Sequence, residues 1–182
     1  MQTVESEVKL RMAGPAEARA LVTGIGAMPS RARHLEDNVL YDDAARGLRA
    51  SGRTLRLRRA EGRAVVTVKG PRIAGTGVKS REEVEYTVAD ADAAHRAFLV
   101  LGYVKVFRYQ KYREAFRWQD AEIVVDETPI GTFMEIEGAE ADIHVAAKAL
   151  GYGPGSYLTE SYVALFFARG GRGDMLFAEG QP

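Results

Sequence analysis

Near its start the chain reads Val4-Glu5-Ser6-Glu7-Val8-Lys9-Leu10. Side chains on a strand leave alternately from its two faces, so Glu5, Glu7 and Lys9 project together and Val4, Val8 and Leu10 project the other way. The same spacing recurs: Arg56 with Arg58, Thr67 with Lys69, Arg81 with Glu83 and Glu85, Tyr109 with Lys111 and Arg113, Glu122 with Val124 and Asp126, and Glu135 with Glu137. One face of each predicted strand thus collects the bases Lys9, Arg56, Arg58, Lys69, Arg81, Lys111 and Arg113, and the acids Glu5, Glu7, Glu83, Glu85, Asp126, Glu135 and Glu137. Glutamates repeated side by side repel unless a cation lies between them, and a divalent ion is the remedy. Hard cations such as Mg²⁺ or Mn²⁺ take oxygen ligands, which carboxylates and phosphates supply. Arginine forks suit phosphate oxygens in pairs, and lysine adds a point charge.

Two arrangements would present these residues. The opposite faces carry Val8, Leu10, Leu55, Leu57, Val66, Val68, Val84, Ile123, Val125, Met134 and Ile136. An open sheet could bury that aliphatic face under helices and turn its charges to water. Alternatively the sheet closes, with helices on the aliphatic outside and the charges around a wet interior. Open faces usually mix signs and favour lysine, whereas this chain repeats arginine or lysine on two strands and glutamate on three.

The elements follow from spacing and punctuation. Gly14-Pro15 opens a helix over 16–22 that Gly24 and Gly26 close. The Gly24-Ile25-Gly26 run follows a helix, lacks a third glycine and meets Pro29, so it is no dinucleotide fingerprint. Residues 34–43 suit a strand running into a turn, and Gly62 marks a hairpin between strands at 54–58 and 64–69. A loose loop is predicted over 70–77 and a strand over 81–86. Ala94, Ala97, Phe98 and Leu101 share a helical stripe with Asp90 or Asp92 as N-cap, then strands are expected over 103–118, 121–127 and 133–137. Helices close the pattern at 143–150 and, capped by Thr159, up to Phe167.

Composition bounds the rest. A chain of 182 residues, 46% hydrophobic, supports one domain with a real core. Basic and acidic residues number 25 each, so no nucleic-acid partner and no membrane surface is expected, and any anion site must come from local clustering. The absence of cysteine excludes a thiolate nucleophile, a cysteine zinc site and a disulfide scaffold. The first residues lack the basic and apolar regions of a signal peptide, and no apolar run reaches bilayer length, so a cytoplasmic location is expected. His34, His95 and His144 are expected as surface residues, and Tyr41, Tyr109 and Trp118 as packing or rim residues. The segment 169–182 is expected as a mobile tail, its Arg172-Gly173-Asp174 triplet a chance match to an adhesion motif.

The ExExK strand, the LRLR strand at 55–58, Thr67-Val68-Lys69-Gly70-Pro71, the RxExE strand from Arg81, the KxR pair at Lys111 and Arg113, the GxFxEIE segment from Gly131 and Ser161-Tyr162 together resemble the CYTH family of triphosphate tunnel metalloenzymes, in the family's order over nearly the whole chain. The resemblance implies an α+β fold: a closed antiparallel barrel of about eight strands, charged inside and helix-coated outside, as one domain over 1–168. It implies an enzyme requiring Mg²⁺ or Mn²⁺ and acting on a triphosphate-bearing small molecule: tripolyphosphate, thiamine triphosphate or ATP. Lys9, Arg56, Arg58, Lys69, Lys111 and Arg113 become phosphate-binding residues, while Arg81 either joins them or pairs with a glutamate. Glu5, Glu7, Asp126, Glu135 and Glu137 become metal ligands, with Glu83 and Glu85 beside them, and Glu5, Glu7, Lys9 and Glu137 stand at the catalytic centre. Hydrolysis is the favoured reaction; class IV adenylate cyclisation and a non-catalytic polyphosphate-binding role are the alternatives. Whether two chains pair as a homodimer is left open.

Overall fold

The computed structural model describes residues 3–74 and 77–178. Among them the chain forms β1 (Thr3–Met12), α1 (Pro15–Gly24), β2 (Met28–Asp42), α2 (Gly47–Ala50), β3 (Thr54–Ala60), β4 (Arg63–Ile73) and β5 (Lys79–Val88). It continues with α3 (Ala91–Val100), β6 (Val104–Trp118), β7 (Ala121–Thr128), β8 (Gly131–Glu137), α4 (Glu140–Ala149) and α5 (Tyr162–Ala168). The strands close into one antiparallel barrel in the order β1-β5-β4-β3-β2-β6-β7-β8, with β8 back against β1. Closure leaves no strand of the ring without a neighbour on each side, and it turns the period-two alternation of each strand into an inside and an outside.

The outside is apolar where helices lie on it. Val8, Leu10, Ile123, Val125, Met134 and Ile136 are buried beneath Ala18 and Val22 of α1 and Ile143, Ala146 and Ala147 of α4. Each fully buried side chain of this kind contributes roughly 1.5–3 kcal/mol. On the other flank Leu55, Leu57 and Val66 pack with Tyr41 and with Phe98 of α3. The coat is incomplete: Val68 is 39% exposed and Val84 44% exposed, because no helix among the described residues covers the outer face there.

Local chemistry accounts for most boundaries. Asp90 caps α3 by accepting the Asp92 and Ala93 amides, and Glu61-Gly62, both at positive φ, make the β3–β4 turn. Three boundaries differ from expectation. β2 begins at Met28, before Pro29, and runs the length of β6, tolerating the proline and register shifts between Pro29 and His34. β4 continues to Ile73, so the predicted loop shrinks to the few residues before β5, two of which (75–76) lie outside the described residues. Ser161, not Thr159, caps α5, its hydroxyl accepting the Ala164 amide.

The segment expected as a mobile tail is docked over residues 174–177, whereas 179–182 lie outside the described residues. β6 pairs with β7 only from Tyr112 onward, so earlier residues of β6 have a vacant ladder. Met175 fills it: its N–H donates to Arg108 O at 2.9 Å and its carbonyl accepts from Gln110 N at 3.0 Å. Asp174 accepts the Arg108 amide at 2.7 Å, which gives the Arg-Gly-Asp triplet a structural part, and the Met175 side chain is 1% exposed.

Candidate active site

The barrel encloses a cavity of about 1160 Å³. Of the residues predicted for the site, Glu5, Glu7, Lys9, Arg56, Arg58, Lys69, Arg81, Glu83, Glu85, Lys111, Arg113, Glu135 and Glu137 all line it. Lysine and arginine outnumber aspartate and glutamate along the described lining, so a chain without net charge presents an interior that attracts anions.

The acids divide into a cluster and a set of ion pairs. Glu5 and Glu7 on β1 and Glu137 on β8 place one carboxylate oxygen each within 4.8 Å of one another. The cross-strand register explains it, because Glu7 stands directly opposite Glu137. Burial, together with Glu135, Glu5 and Glu7 nearby, pushes Glu137 up to about 8 despite Arg113. Glu83 rises to about 7 through burial and a hydrogen bond with Glu5, which itself is held below its ordinary value by that bond and by Lys69 in spite of burial. Burial also opposes ionisation of Glu7, yet Lys9 and Lys79 bring it down to about 2. Acids this crowded compete for protons when no cation is among them, and their oxygen-only donor set fits Mg²⁺ or Mn²⁺.

The remaining predicted acids serve the bases. Glu135 accepts from Lys9 at 2.7 Å and from Arg113, and its carboxyl is held well below the usual range, burial being outweighed by Lys9 and Arg113. Asp126 is fully buried and does not join the acid cluster. It receives Lys111 at 2.9 Å, Arg113 at 2.6 and 2.8 Å and the Tyr162 hydroxyl at 2.8 Å. Glu83 pairs with Lys69 at 2.8 Å, and Glu85 with Arg58 at 3.2 Å. Lys69 also reaches Glu5. Arg56 donates to Thr67 at 2.9 Å, and Arg81 lines the cavity with its Nε unpartnered. Buried ionic groups of this kind cost desolvation, which their partners offset only when the geometry is good.

Several site residues were not in the predicted set. Lys79 donates to Glu7 beside Lys9, and it extends the alternating row of Arg81, Glu83 and Glu85 one step back, a signal present in the sequence. Glu36 on β2 is fully buried, accepting Arg58 at 2.8 Å with Lys111 at 3.6 Å, and its carboxyl lies well below the usual range because Lys111 and His34 outweigh burial. His34, expected at the surface, is 7% exposed; its Nδ1 donates to Ala32 O and its Nε2 stands 3.7 Å from Glu36. His95 and His144 are half-buried, each in contact with a tyrosine hydroxyl. Tyr109, expected as a packing or rim residue, is buried in the cavity wall against Arg56, and Tyr162 sits beneath Lys9 and Lys111, its ring 5.0 and 5.3 Å from their ammonium groups.

Part of the lining is apolar. Leu40, Val106 and Phe107 contribute to it with Val163 and Phe167 of α5, and the α2 region adds Arg46, Arg49 and Arg53. Asp42 holds that region in place by accepting the Asp43, Leu48 and Arg49 amides.

Comparison with known proteins agrees with this architecture. The chain is 30% identical over 119 residues, 65% of its length and 67% of the relative's, to the protein named "Putative adenylate cyclase MJ0240" of Methanocaldococcus jannaschii. Its fold resembles that of a structure from Vibrio parahaemolyticus described as a "putative adenylate cyclase" (TM-score 0.80, 20% identity, 91% of this chain and 98% of that one). It also resembles the PH1819 protein of Pyrococcus horikoshii (TM-score 0.77, 24% identity, 91% and 99%). The structure described as "Putative adenylyl cyclase HpAC1 from Hippeastrum reveals a dominant triphophatase activity" superposes with a TM-score of 0.67 at 20% identity, over 94% of this chain and 97% of that one. The sequence model of the CYTH domain matches residues 3–162, which spans all the strands and the acid cluster, and the chain therefore belongs to the CYTH domain family.

Proposed function

We propose that this protein is a divalent-metal-dependent hydrolase of a triphosphate-bearing small molecule, such as tripolyphosphate, thiamine triphosphate or a nucleoside triphosphate. The observation that carries the reading is the enclosed meeting of Glu5, Glu7 and Glu137 with Lys9, Lys69, Arg56, Arg58, Arg81, Lys111 and Arg113 around one cavity. Triphosphate carries about four negative charges, and its hydrolysis depends on positioning and charge neutralisation more than on covalent chemistry. The guanidiniums and ammoniums would grip its oxygens. Glu135, Asp126 and Glu36 hold Lys9, Arg113, Lys111 and Arg58 in place beforehand, so little reorganisation is needed when the anion enters. Glu5, Glu7 and Glu137 would hold Mg²⁺ or Mn²⁺, which supplies positive charge to phosphate oxygens and lowers the pKa of the attacking group. Water attacks the terminal phosphorus in line, the bond to the bridging oxygen breaks, and orthophosphate leaves with the shortened ligand.

A second reading, cyclisation of ATP with release of pyrophosphate, draws support from the apolar wall of Leu40, Phe107 and Phe167, which suits an organic group, and from the name of the Methanocaldococcus relative. The dominant triphosphatase activity ascribed to the Hippeastrum protein favours hydrolysis. The two separate in one experiment: phosphate release from tripolyphosphate, thiamine triphosphate and ATP with Mg²⁺ or Mn²⁺, with cyclic AMP followed in parallel. Orthophosphate without cyclic AMP is the expected result. Cyclic AMP and pyrophosphate from ATP would establish the second reading, and tight binding with no turnover of any of them would make the protein a sensor.

A further inference from the structure

The cavity carries a second group of cations apart from the bases assigned to phosphate. Arg46, Arg49 and Arg53, in and beside α2, line it and remain exposed to water. Among the described residues, none of these guanidiniums pairs with a carboxylate. The acids of the same segment are committed to its backbone instead: Asp42 accepts the Asp43, Leu48 and Arg49 amides, and Asp43 accepts the Gly47 amide at 3.0 Å. The Arg53 N–H donates to Leu48 O at 2.7 Å. The segment is therefore held by its aspartates, and the charge of its arginines is left uncompensated.

Its place in the barrel gives that surplus a direction. The segment joins the end of β2 to the start of β3 and begins just after Leu40, whose ladder partners are Arg56 and Phe107. The Phe107 ring lies 5.5 Å from that of Phe167. Thr54, next to Arg53, stands opposite Lys69 across the β3–β4 ladder. The arginines thus adjoin the apolar part of the lining on one side and the phosphate-facing bases Arg56 and Lys69 on the other.

Cations beside a binding site repel a cationic ligand group and attract an anionic one, over a range set by the Debye length. A guanidinium also stacks on planar rings. We propose that Arg46, Arg49 and Arg53 determine specificity: they favour a triphosphate whose remaining part is neutral or anionic and disfavour one whose remaining part is a cation. The inference rests on the triphosphate reading and narrows it. A nucleoside triphosphate, whose nucleoside is neutral, is preferred to thiamine triphosphate, whose thiazolium ring carries a fixed positive charge. The apolar part of the lining does not tell these organic groups apart by charge, and the arginines do.

The test uses the whole protein, a triple variant Arg46→Gln, Arg49→Gln, Arg53→Gln, and the single charge reversal Arg49→Glu. The quantity read is the ratio of kcat/KM for consumption of ATP to that for thiamine triphosphate with Mg²⁺, or the ratio of Kd values by calorimetry if the protein binds without turnover. The unaltered protein should prefer ATP, and added salt should narrow that preference. Three unit charges roughly 10 Å from a cation in water change its binding by about tenfold, so the triple variant should shift the ratio toward thiamine triphosphate by about that factor, and Arg49→Glu should shift it the same way. An unchanged ratio in both variants would overturn the proposal. So would an equal loss on both substrates, since the arginines would then bind phosphate without selecting, and so would an unaltered protein that prefers thiamine triphosphate. If the unaltered protein neither binds nor consumes either compound, the triphosphate reading fails, an outcome distinct from failure confined to the arginines of the α2 segment.

Discussion

Glu137 and Glu7 face each other across one ladder position and titrate in opposite directions. Glu137, raised to about 8 from an ordinary 4.5, keeps its proton in the fold and loses it in the unfolded chain, so its contribution to stability declines as pH climbs from 4.5 through 8. Glu7, lowered to about 2, contributes stability that is full above 4.5 and is lost as pH falls toward 2. The metal-free protein should therefore lose Tm as pH rises from about 4.5 to about 8, and Glu137→Gln should flatten that slope. Bound Mn²⁺ must displace the proton, so its affinity should rise with pH up to about 8 in a calorimetric titration, with proton release seen by changing the buffer. The same Glu137→Gln variant, folded by circular dichroism, should lose at least about a hundredfold in metal-dependent turnover, as for removal of a group that touches the reacting charge. On the proposed function, Arg58→Ala would remove a charge-assisted contact to phosphate, worth roughly 1.5–3 kcal/mol, so KM should rise by about tenfold or more while the fold persists. A KM equal to that of the unaltered protein would take Arg58 out of the phosphate site.

At the scale of elements, strands were legible and their partners less so. Glu5, Glu7 and Glu137 could be found because two of them repeat along one strand and the third ends another repeat, and alternation alone puts them inside once the ring closes. Glu36 obeys the same alternation, but it lies in a mixed run from His34 to Asp43 where acids also occupy the outer positions, and only the pairing of β2 with β6 and β3 decides which face is inner. Asp126 was legible as an inner residue, not as the anchor of Lys111, Arg113 and Tyr162, because the first two depend on the β6–β7 register that sets Asp126 opposite Arg113, and the third on where α5 packs. The docking of 174–177 could not be read locally either, since its ladder partner lies some sixty residues earlier in β6. It yields a prediction at this scale. Met175→Ala should destabilise the protein by about 2–5 kcal/mol, as for a buried large-to-small change, measured by denaturant unfolding. A loss under about 0.5 kcal/mol, the range of surface changes, would mean that the docked segment adds nothing to the core.

For the whole molecule, closure of the sheet is the event on which the chemistry depends. It separates an apolar outside, buried against α1, α3 and α4, from an interior where acids and bases of both signs are held in fixed pairs. It also brings β1 beside β8, the two strands that carry the acid cluster and that stand far apart in the chain. Among the described residues no helix is long and apolar enough to cross a membrane. The most direct measurement of the central claim is anomalous diffraction from a crystal soaked with Mn²⁺ and imidotriphosphate. The account predicts a manganese peak bound by Glu5, Glu7 and Glu137, with phosphate density extending from it toward Arg56 and Arg58. A manganese peak away from those carboxylates, or triphosphate lying outside the barrel, would contradict it.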